Sequence, residues 1–123
     1  MIKRIIVAGT NSFENYGLIS DTLDQFLSEC GDDIEIISGH AAGPDQLGER
    51  YAKEHSLKCT VFPAEWKKYG RAAGPIRNAQ MLSYALEAEP AVIVFWDGKS
   101  RGTSDMINKA KRKGAEVRII AIA

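Results

Sequence analysis

Five short apolar runs, rich in β-branched residues, alternate along the chain with segments of helical periodicity. A near-continuous apolar run is typical of a strand covered on both faces, as in a parallel sheet. The runs are residues 5–9, 34–39, 59–63, 91–96 and 117–123. The intervening positions predicted to pack on the sheet at helical spacing are Ile19, Leu23, Phe26, Leu27, Cys30, Leu47, Tyr51, Ala52, Ala79, Leu82, Leu86, Met106, Ile107 and Ala110. The pattern predicts a βαβαβαβαβ chain.

Right-handed crossovers turn this element order into a three-layer, Rossmann-like, doubly wound α/β fold. We expect about five parallel strands in the order 3-2-1-4-5 and a single domain over residues 1–123. Pro44 and Pro75 stand where the second and third helices are predicted to begin, because the first N–H of a helix has no partner within it. Gly31 and Gly114 are predicted stops for the first and last helices.

Composition narrows the class of protein without choosing a function. The 123 residues are 45% hydrophobic and 26% charged, with a formal net charge of zero. A neutral chain gives no electrostatic reason to expect binding to nucleic acid or to a membrane surface. No apolar run approaches the roughly 18 residues that a membrane helix needs. We therefore expect a cytoplasmic protein without a membrane partner. Cys30 and Cys59 are then more readily buried free thiols than a disulfide.

Glycine-bearing turns follow three of the predicted strands. Ligands of open parallel sheets bind beyond the carboxyl ends of the strands, where the strand order reverses. The turns contain Gly9, Thr10 and Asn11, then Ser38, Gly39, His40, Gly43 and Asp45, then Asp97, Gly98, Gly102 and Thr103. In the order 3-2-1-4-5 these turns meet at one crevice and, with the helix N-termini behind them, predict a phosphate site. Each turn alone is also explained by the steric demands of a strand-to-helix turn.

Other side chains in these turns leave alternatives open. His40 can contact a ligand or be an exposed loop histidine. Neither a GxGxxG sequence after the first strand nor a GxxxxGK[ST] sequence occurs. No group of Cys and His has the spacing of metal ligands, so we expect no metal.

The connection before the third helix, PAEWKKYGRAAG, is about a dozen residues long, where a few are usual. It is either a functional lid that carries Trp66 or a plain surface excursion. It ends in the second of two AAGP runs, at 41–44 and 72–75. We interpret the two runs as the same way of starting a helix. Arg77 then lies in the first turn, where the helix dipole disfavours a cation, so an anionic ligand or a nearby carboxylate is its expected partner.

Three segments together carry a family resemblance. SGHAAGPDQLGERYA, PAEWKKYGRAAGPIRNAQM and DGKSRGTSDMINKA, in this order, resemble the SLOG superfamily of Rossmann-like proteins, and within it the small YspA-like, cpYpsA-related branch. The superfamily includes the DNA-processing protein Smf/DprA and the LOG enzymes. The resemblance covers nearly the whole chain and implies a nucleotide or a nucleotide-derived ligand, such as an ADP-ribose-like molecule, with no further cofactor required. The ligand residues expected from the turns and from the resemblance are Gly9, Thr10, Ser38, Gly39, Gly43, Asp45, Trp66, Arg77, Asn78, Asp97, Gly98, Gly102 and Thr103.

Whether the chain is an enzyme is left open at this point. The LOG enzymes release the base from nucleoside 5'-monophosphates, and the resemblance makes Arg77 and Asp105 tentative catalytic residues for a nucleotide N-glycosidase. A third hypothesis is a single-stranded nucleic-acid module, which the resemblance to Smf/DprA suggests but the zero net charge disfavours. The residues that support it are four cations near two aromatic side chains, namely Lys67, Lys68, Arg71 and Arg77 near Trp66 and Tyr69. Self-association through an exposed apolar helix face is also left open.

Overall fold

A five-stranded parallel sheet lies between two layers of helices in the computed structural model, which describes residues 2–31 and 33–122. The strands are β1 (Lys3–Gly9), β2 (Ile34–Ser38), β3 (Lys58–Val61), β4 (Glu89–Trp96) and β5 (Glu116–Ala121). The helices are α1 (Tyr16–Cys30), α2 (Pro44–Glu54), α3 (Trp66–Tyr69), α4 (Ala73–Leu86) and α5 (Arg101–Arg112). Residue 123, the last of the predicted fifth strand, and residue 1 lie outside the described residues.

The strand order is β3-β2-β1-β4-β5 and every neighbouring pair is parallel, which confirms the predicted topology. The order reverses between β1 and β4, where Gly9 pairs with Phe95. Gly31 and Gly114 have positive φ angles of 86° and 74° just beyond α1 and α5, as expected of helix stops. None of the helices within residues 2–31 and 33–122 is long and apolar enough to cross a membrane.

The sheet is buried on both faces because alternate residues of its central strands point to opposite helix layers. On one face Ile5 and Val7 pack with α1 and α2, and on the other Ile6 and Ala8 pack with α4 and α5. Ile5, Ile6 and Val7 have no exposed surface. Each fully buried aliphatic side chain of this size stabilises the fold by about 1.5–3 kcal/mol. The continuous apolar run in the sequence therefore reflects burial on two sides.

Two of the predicted core positions are wrong. Helix α4 contacts the sheet and α5 through Met81, Leu82 and Ala85, which are buried. Ala79 and Leu86 lie to the side of that face and are exposed, Leu86 by 38%. The two apolar side chains follow helical spacing with Leu82, but only one of the three points inwards. Ala79 and Leu86 instead line a groove between α4 and α5, which the edge of the buried Leu82 also borders.

The cysteines are free thiols, as the sequence favoured, although both are only half-buried. Each packs against the core layer that contains α1 and α2. Burial raises the pKa of Cys59 to about 11, so this thiol stays protonated at neutral pH.

The long loop predicted before the third predicted helix, which corresponds to α4, is itself largely helical. Helix α3 is followed by a 3₁₀ turn at Gly70–Ala72, which leads directly into α4 at Ala73. Pro75 is therefore the third residue of α4 rather than its first. The sequence signal for a helix start was misplaced because proline is tolerated throughout the first turn, where no N–H has an intrahelical partner.

At the amino-terminal end of the sheet, opposite the glycine-bearing turns, a buried carboxylate connects three strands to α4. Glu35 has no exposed surface and accepts hydrogen bonds from Arg4 Nε (3.1 Å), Thr60 Oγ1 (2.6 Å) and Tyr84 Oη (2.6 Å). Burial alone raises the pKa of Glu35, but these three hydrogen bonds outweigh it and bring the pKa below its usual value. The cluster fixes α4, whose other end reaches the crevice described next.

Candidate functional site

A cavity of about 400 Å³ opens at the carboxyl ends of the strands, where their order reverses between β1 and β4. It is lined by Ala8, Gly9, Asn11, Ala41, Asp45, Trp66, Arg71, Gly74, Pro75, Arg77, Asn78, Met81, Ser100, Arg101, Gly102, Thr103, Asp105 and Met106. These residues come from the predicted turns after β1, β2 and β4 and from the segment that precedes and begins α4. The turns therefore gather at one end of the sheet, as the sequence predicted.

Three helices begin at this cavity. The lining includes residues from the first turns of α2, α4 and α5, namely Asp45, Gly74 and Pro75, and Gly102 and Thr103. No described side chain caps the N-terminus of any of these three helices. The first N–H groups of α2 and α5 consequently have no side-chain partner, whereas Ala73 at the start of α4 donates its N–H to the carbonyl oxygen of Gly70 in the preceding 3₁₀ turn. The three helix dipoles place partial positive charge around one space. This is an environment that favours an anion.

The turn between β4 and α5 is shaped by Asp97. Its Oδ1 atom accepts hydrogen bonds from the N–H groups of Lys99 (2.8 Å) and Ser100 (2.9 Å), which hold the pKa of Asp97 below its usual value. The N–H of Asp97 donates to Thr10 Oγ1 at 3.1 Å and so connects this turn to the one after β1. Thr10 and Asp97 thus position the turns around the cavity without lining it.

Arg77 points across the cavity to the end of β2. Its Nη1 atom donates to the carbonyl oxygen of Gly39 at 2.5 Å, and its Nε atom donates to Asn78 Oδ1 at 3.2 Å. A Cβ atom at Gly39 would overlap the guanidinium group, so glycine at this position is what lets the arginine reach the β2 carbonyl. Arg77 is the fifth residue of α4, so its predicted place in the first turn is wrong.

The two AAGP runs differ, and their interpretation as one construction is wrong. Gly43 precedes α2 with φ at +83°, and a Cβ atom there would lie 2.7 Å from the carbonyl oxygen of Asn11. This position requires glycine on both grounds. Gly74 is already inside the first turn of α4, and its hypothetical Cβ atom would only touch Trp66, at 3.5 Å. The first run shapes a turn that requires glycine, whereas the second lies within the start of a helix and places Gly74 beside Trp66.

Asp45 is a buried carboxylate in the wall of the cavity. Its exposed fraction is 3%, and its Oδ2 atom accepts a 3.4 Å hydrogen bond from the N–H of Ala41. Burial raises the pKa of Asp45 to about 6, even though the positive charge of Arg77 opposes the change. The carboxyl group therefore titrates close to neutral pH.

Asn78 and Asp105 connect α4 to the first turns of α5. Asn78 is buried, and its Nδ2 atom donates to the carbonyl oxygen of Gly102 at 3.1 Å and to Asp105 Oδ2 at 3.0 Å. The other carboxylate oxygen of Asp105 accepts a 2.5 Å hydrogen bond from Lys109 Nζ. Asp105 therefore faces the cavity as one half of an ion pair.

Ser38 and His40 support the turn after β2 from outside the cavity. The Ser38 hydroxyl is buried 2.6 Å from Glu49 Oε2 and 3.0 Å from the Asp45 carbonyl oxygen, and it accepts the N–H of His40. The His40 ring lies 2.9 Å from Glu49 Oε2 through Nδ1, and its side chain is 52% exposed. Of the two readings of His40, the exposed loop histidine is the one that the geometry matches.

Comparison with known proteins identifies the family. The family model described as "YspA, cpYpsA-related SLOG family" matches residues 3–69, from β1 through α3, which is more than half of the chain. The chain belongs to this SLOG family. The family resemblance expected from the sequence motifs is thereby confirmed. The matched part contains Gly39 and Asp45, whereas Arg77 and Gly102 come from the remainder.

This SLOG chain also resembles a phage protein and a solved structure. It is 23% identical over 121 residues to the Gene 61 protein of Mycobacterium phage D29, which covers 94% of each chain. Its fold matches DNA processing protein A (DprA) from Streptococcus pneumoniae with a TM-score of 0.69 and 18% identity. The match covers the whole SLOG chain but only 51% of DprA, so it spans about half the length of that protein. At this identity the likeness concerns the fold alone.

The SLOG cavity brings together part of the predicted set of site residues. Those that line it are Gly9, Asp45, Trp66, Arg77, Asn78, Gly102, Thr103 and Asp105. Those that lie behind or beside it are Thr10, Ser38, Gly39, Gly43, Asp97 and Gly98. Lining residues absent from the predicted ligand residues include Asn11, which was noted only as part of the turn after β1, and Arg101, which adjoins the predicted Gly102. Arg71 also lines the cavity, although the sequence pointed to it only in the long connection and in the nucleic-acid hypothesis. Proximity in sequence to the glycine-bearing turns was the available signal for the first two.

Within residues 2–31 and 33–122, no group of three or more His, Cys, Asp and Glu side chains is arranged to hold a metal ion.

Proposed function

We propose that this SLOG domain binds a nucleotide or another nucleotide-derived, phosphate-bearing ligand in the cavity at the carboxyl ends of its strands. The observation that carries the proposal is the convergence of three helix N-termini without side-chain caps, and of three arginines, on a single cavity of about 400 Å³. The arginines are Arg71, Arg77 and Arg101. Cavities of about 300–1,000 Å³ are usual for small-molecule ligands.

The phosphate is proposed to bind at the first turn of α5. Gly102 and Thr103 line the cavity there, and a Cβ atom added to Gly102 would meet no other atom within 4 Å. That open space lets a phosphate approach the backbone N–H groups closely. Thr103 Oγ1 and Ser100 Oγ lie 3.2 Å apart at the same place and supply hydroxyl groups. Arg101, the first residue of α5, adds a full positive charge.

Trp66 is proposed to cover the base or the sugar. Its side chain is 60% exposed although it lines the cavity, and it packs over the first turn of α4 at Gly74. An exposed indole at the mouth of a polar cavity offers a large planar surface on which a base can stack. The other end of the ligand is then held at α5.

The local charge favours an anion although the whole chain is neutral. Three arginines line the cavity against two carboxylates, Asp45 and Asp105. Lys109 pairs with Asp105, and burial shifts the titration of Asp45 towards neutral pH. The remaining charge at the cavity is positive, and a phosphate with Arg contacts makes strong, charge-assisted hydrogen bonds.

Isothermal titration calorimetry with nucleoside mono- and diphosphates and with ADP-ribose tests the proposal. We expect at least one of these ligands to bind, and Arg101→Ala to weaken its binding by roughly tenfold or more, the value of one charge-assisted hydrogen bond. The matched control is Arg112→Ala, which removes the same side chain from the exposed last turn of the same helix. Absence of binding throughout the panel at millimolar concentration, or equal losses in the two variants, contradicts the proposed site.

A second candidate function is hydrolysis of the N-glycosidic bond of a bound nucleotide. Its support is that two carboxylates, Asp45 and Asp105, line the same cavity as Arg77. In this reaction a carboxylate positions water or stabilises an oxocarbenium-like transition state, and Arg77 holds the phosphate. Chromatography of the free base released from nucleoside monophosphates tests it. Release that is lost in Arg77→Ala and Asp105→Asn but kept in Arg112→Ala supports the enzyme, and release that is unchanged in the first two variants refutes these roles.

A further inference from the structure

Asp45 is anchored so that its carboxylate faces the cavity with unused capacity to accept hydrogen bonds. An ionised carboxylate has about four acceptor sites. Its protein partners are the backbone N–H groups of Gly39 and Ala41, and the hydrogen bond from Ala41 is long, at 3.4 Å. Ser38 meanwhile contacts the backbone carbonyl of Asp45 at 3.0 Å and fixes the start of α2. The residue is 97% buried by the fold, yet its side chain forms part of the cavity wall.

Arg77 does not use that capacity. Its described hydrogen bonds go to the Gly39 carbonyl oxygen and to Asn78 Oδ1, while it acts on Asp45 through its charge. The arginine thus lowers the cost of a buried negative charge and leaves the carboxylate oxygens available to a ligand.

A negative carboxylate repels phosphate, so the ligand group that meets Asp45 must be a hydrogen-bond donor. The phosphate already has a better place at the first turn of α5, beside Arg101. In a nucleotide, the donors that remain near the phosphate are the hydroxyl groups of the ribose, and two adjacent hydroxyl groups match the two oxygens of one carboxylate.

We propose that Asp45 accepts hydrogen bonds from the ribose hydroxyls and makes the site selective for ribonucleotides over 2',3'-dideoxynucleotides. This assignment rests on the proposed function and gives the ligand a direction. The phosphate lies at the start of α5, the sugar lies at the start of α2, and the base extends towards Trp66.

Selectivity for ribose should depend on pH. The charged groups that face Asp45 are Arg77 from α4 and Glu49 from α2, the latter paired with His40. Burial raises the pKa of Asp45 to about 6, so the carboxylate is the stronger acceptor only above this value. The ratio of ribo- to dideoxynucleotide affinity should therefore rise with pH through about 6. Both ligands carry the same phosphate, so its own ionisation cancels in the ratio.

The experiment is calorimetric titration of the full chain with ADP, GDP, CDP and UDP, each paired with its 2',3'-dideoxy counterpart, at about pH 5 and about pH 7.5. At the higher pH we expect the ribonucleotide that binds to be favoured by roughly 10- to 100-fold, as for hydrogen bonds to a charged group. Asp45→Asn, which keeps the shape and removes the charge, should reduce this ratio and abolish its pH dependence. Asp21→Asn, on the exposed face of α1, is the matched control and should change neither.

The outcomes separate this assignment from the proposed function. Binding of ribo- and dideoxynucleotides with equal affinity by the unaltered protein overturns the role of Asp45 and leaves nucleotide binding intact. An Asp45→Asn variant that binds both forms more tightly by the same factor also overturns it, because Asp45 then acts only as a repulsive charge. Failure of the unaltered protein to bind any of these nucleotides refutes both proposals together.

Discussion

Replacing Gly102 by alanine tests whether glycine at this position is needed for ligand binding or for the stability of the fold. Gly102 is the second residue of α5, and a Cβ atom there would meet no atom within 4 Å. Its φ angle does not lie in the left-handed region, unlike that of Gly98, at +82°. Nothing in the folded chain therefore requires glycine at this position.

The expected magnitudes follow from that geometry. Alanine in a helix interior is more favourable than glycine by about 0.5–1 kcal/mol, and the lower end applies in the first turn. The free energy of unfolding of Gly102→Ala should thus rise by about 0.5 kcal/mol, which raises Tm by roughly 2 °C for a domain of this size. Binding should change in the opposite direction, because the added methyl group projects into the space proposed for the phosphate and separates it from the N–H groups. We expect a loss of affinity of at least tenfold, about 1.4 kcal/mol.

Urea denaturation and calorimetric titration with the same nucleotide, on the same preparations, measure the two effects. Gly114→Ala is the control, because φ at Gly114 is +74° and its surroundings are also open. This variant should lose about 1 kcal/mol of stability through backbone strain and keep full affinity. A less stable Gly102→Ala protein would contradict the geometry of the turn, and undiminished affinity would refute the phosphate position.

Three further variants test the surroundings of the cavity. Gly39→Ala should cost about 1–3 kcal/mol in urea denaturation and weaken nucleotide binding, because the new Cβ atom displaces the Arg77 guanidinium; unchanged values would refute that contact. Asp45→Asn should be more stable than the unaltered protein by roughly 1–3 kcal/mol above about pH 6 and equal to it near pH 4. The reason is that burial raises the pKa of Asp45 from 3.8 to about 6, so the free energy of unfolding of the unaltered protein falls as pH rises through that range and the buried carboxyl group ionises. A pH series of denaturation curves for both proteins measures the difference. Glu35→Gln should lose about 3 kcal/mol at neutral pH, with a deficit that shrinks in acid as the glutamate itself protonates through its lowered pKa; a deficit independent of pH would contradict the buried ion pair.

The fold could be predicted because it depends on burial that the sequence shows directly. Strands β1 and β4 are covered on both sides, so they appear as uninterrupted apolar runs. The alternation of strand and helix then leaves few topologies once crossovers are right-handed. The error at Ala79 and Leu86 has the same origin, since helical spacing reports one apolar stripe and does not say which of its edges reaches the sheet.

The site could be predicted less completely because its residues serve two different roles that look alike in sequence. Gly43 and Gly102 both occur in glycine-bearing turns, yet the first fills a tight turn and the second faces the cavity. Thr10 and Asp97 join two turns through a hydrogen bond across 87 positions of sequence, which no local pattern reports. The helical path of residues 66–72 moved the start of α4 and gave Arg77 a direction that the dipole argument could not provide.

A crystal structure with a bound nucleotide tests the central claim most directly. The account predicts a phosphate within about 3 Å of the backbone N–H groups of Gly102 and Thr103. It also predicts the sugar hydroxyls at Asp45 and the base beside Trp66. A nucleotide bound elsewhere, such as the groove between α4 and α5, or a phosphate at the start of α2 with the sugar at α5, would contradict it.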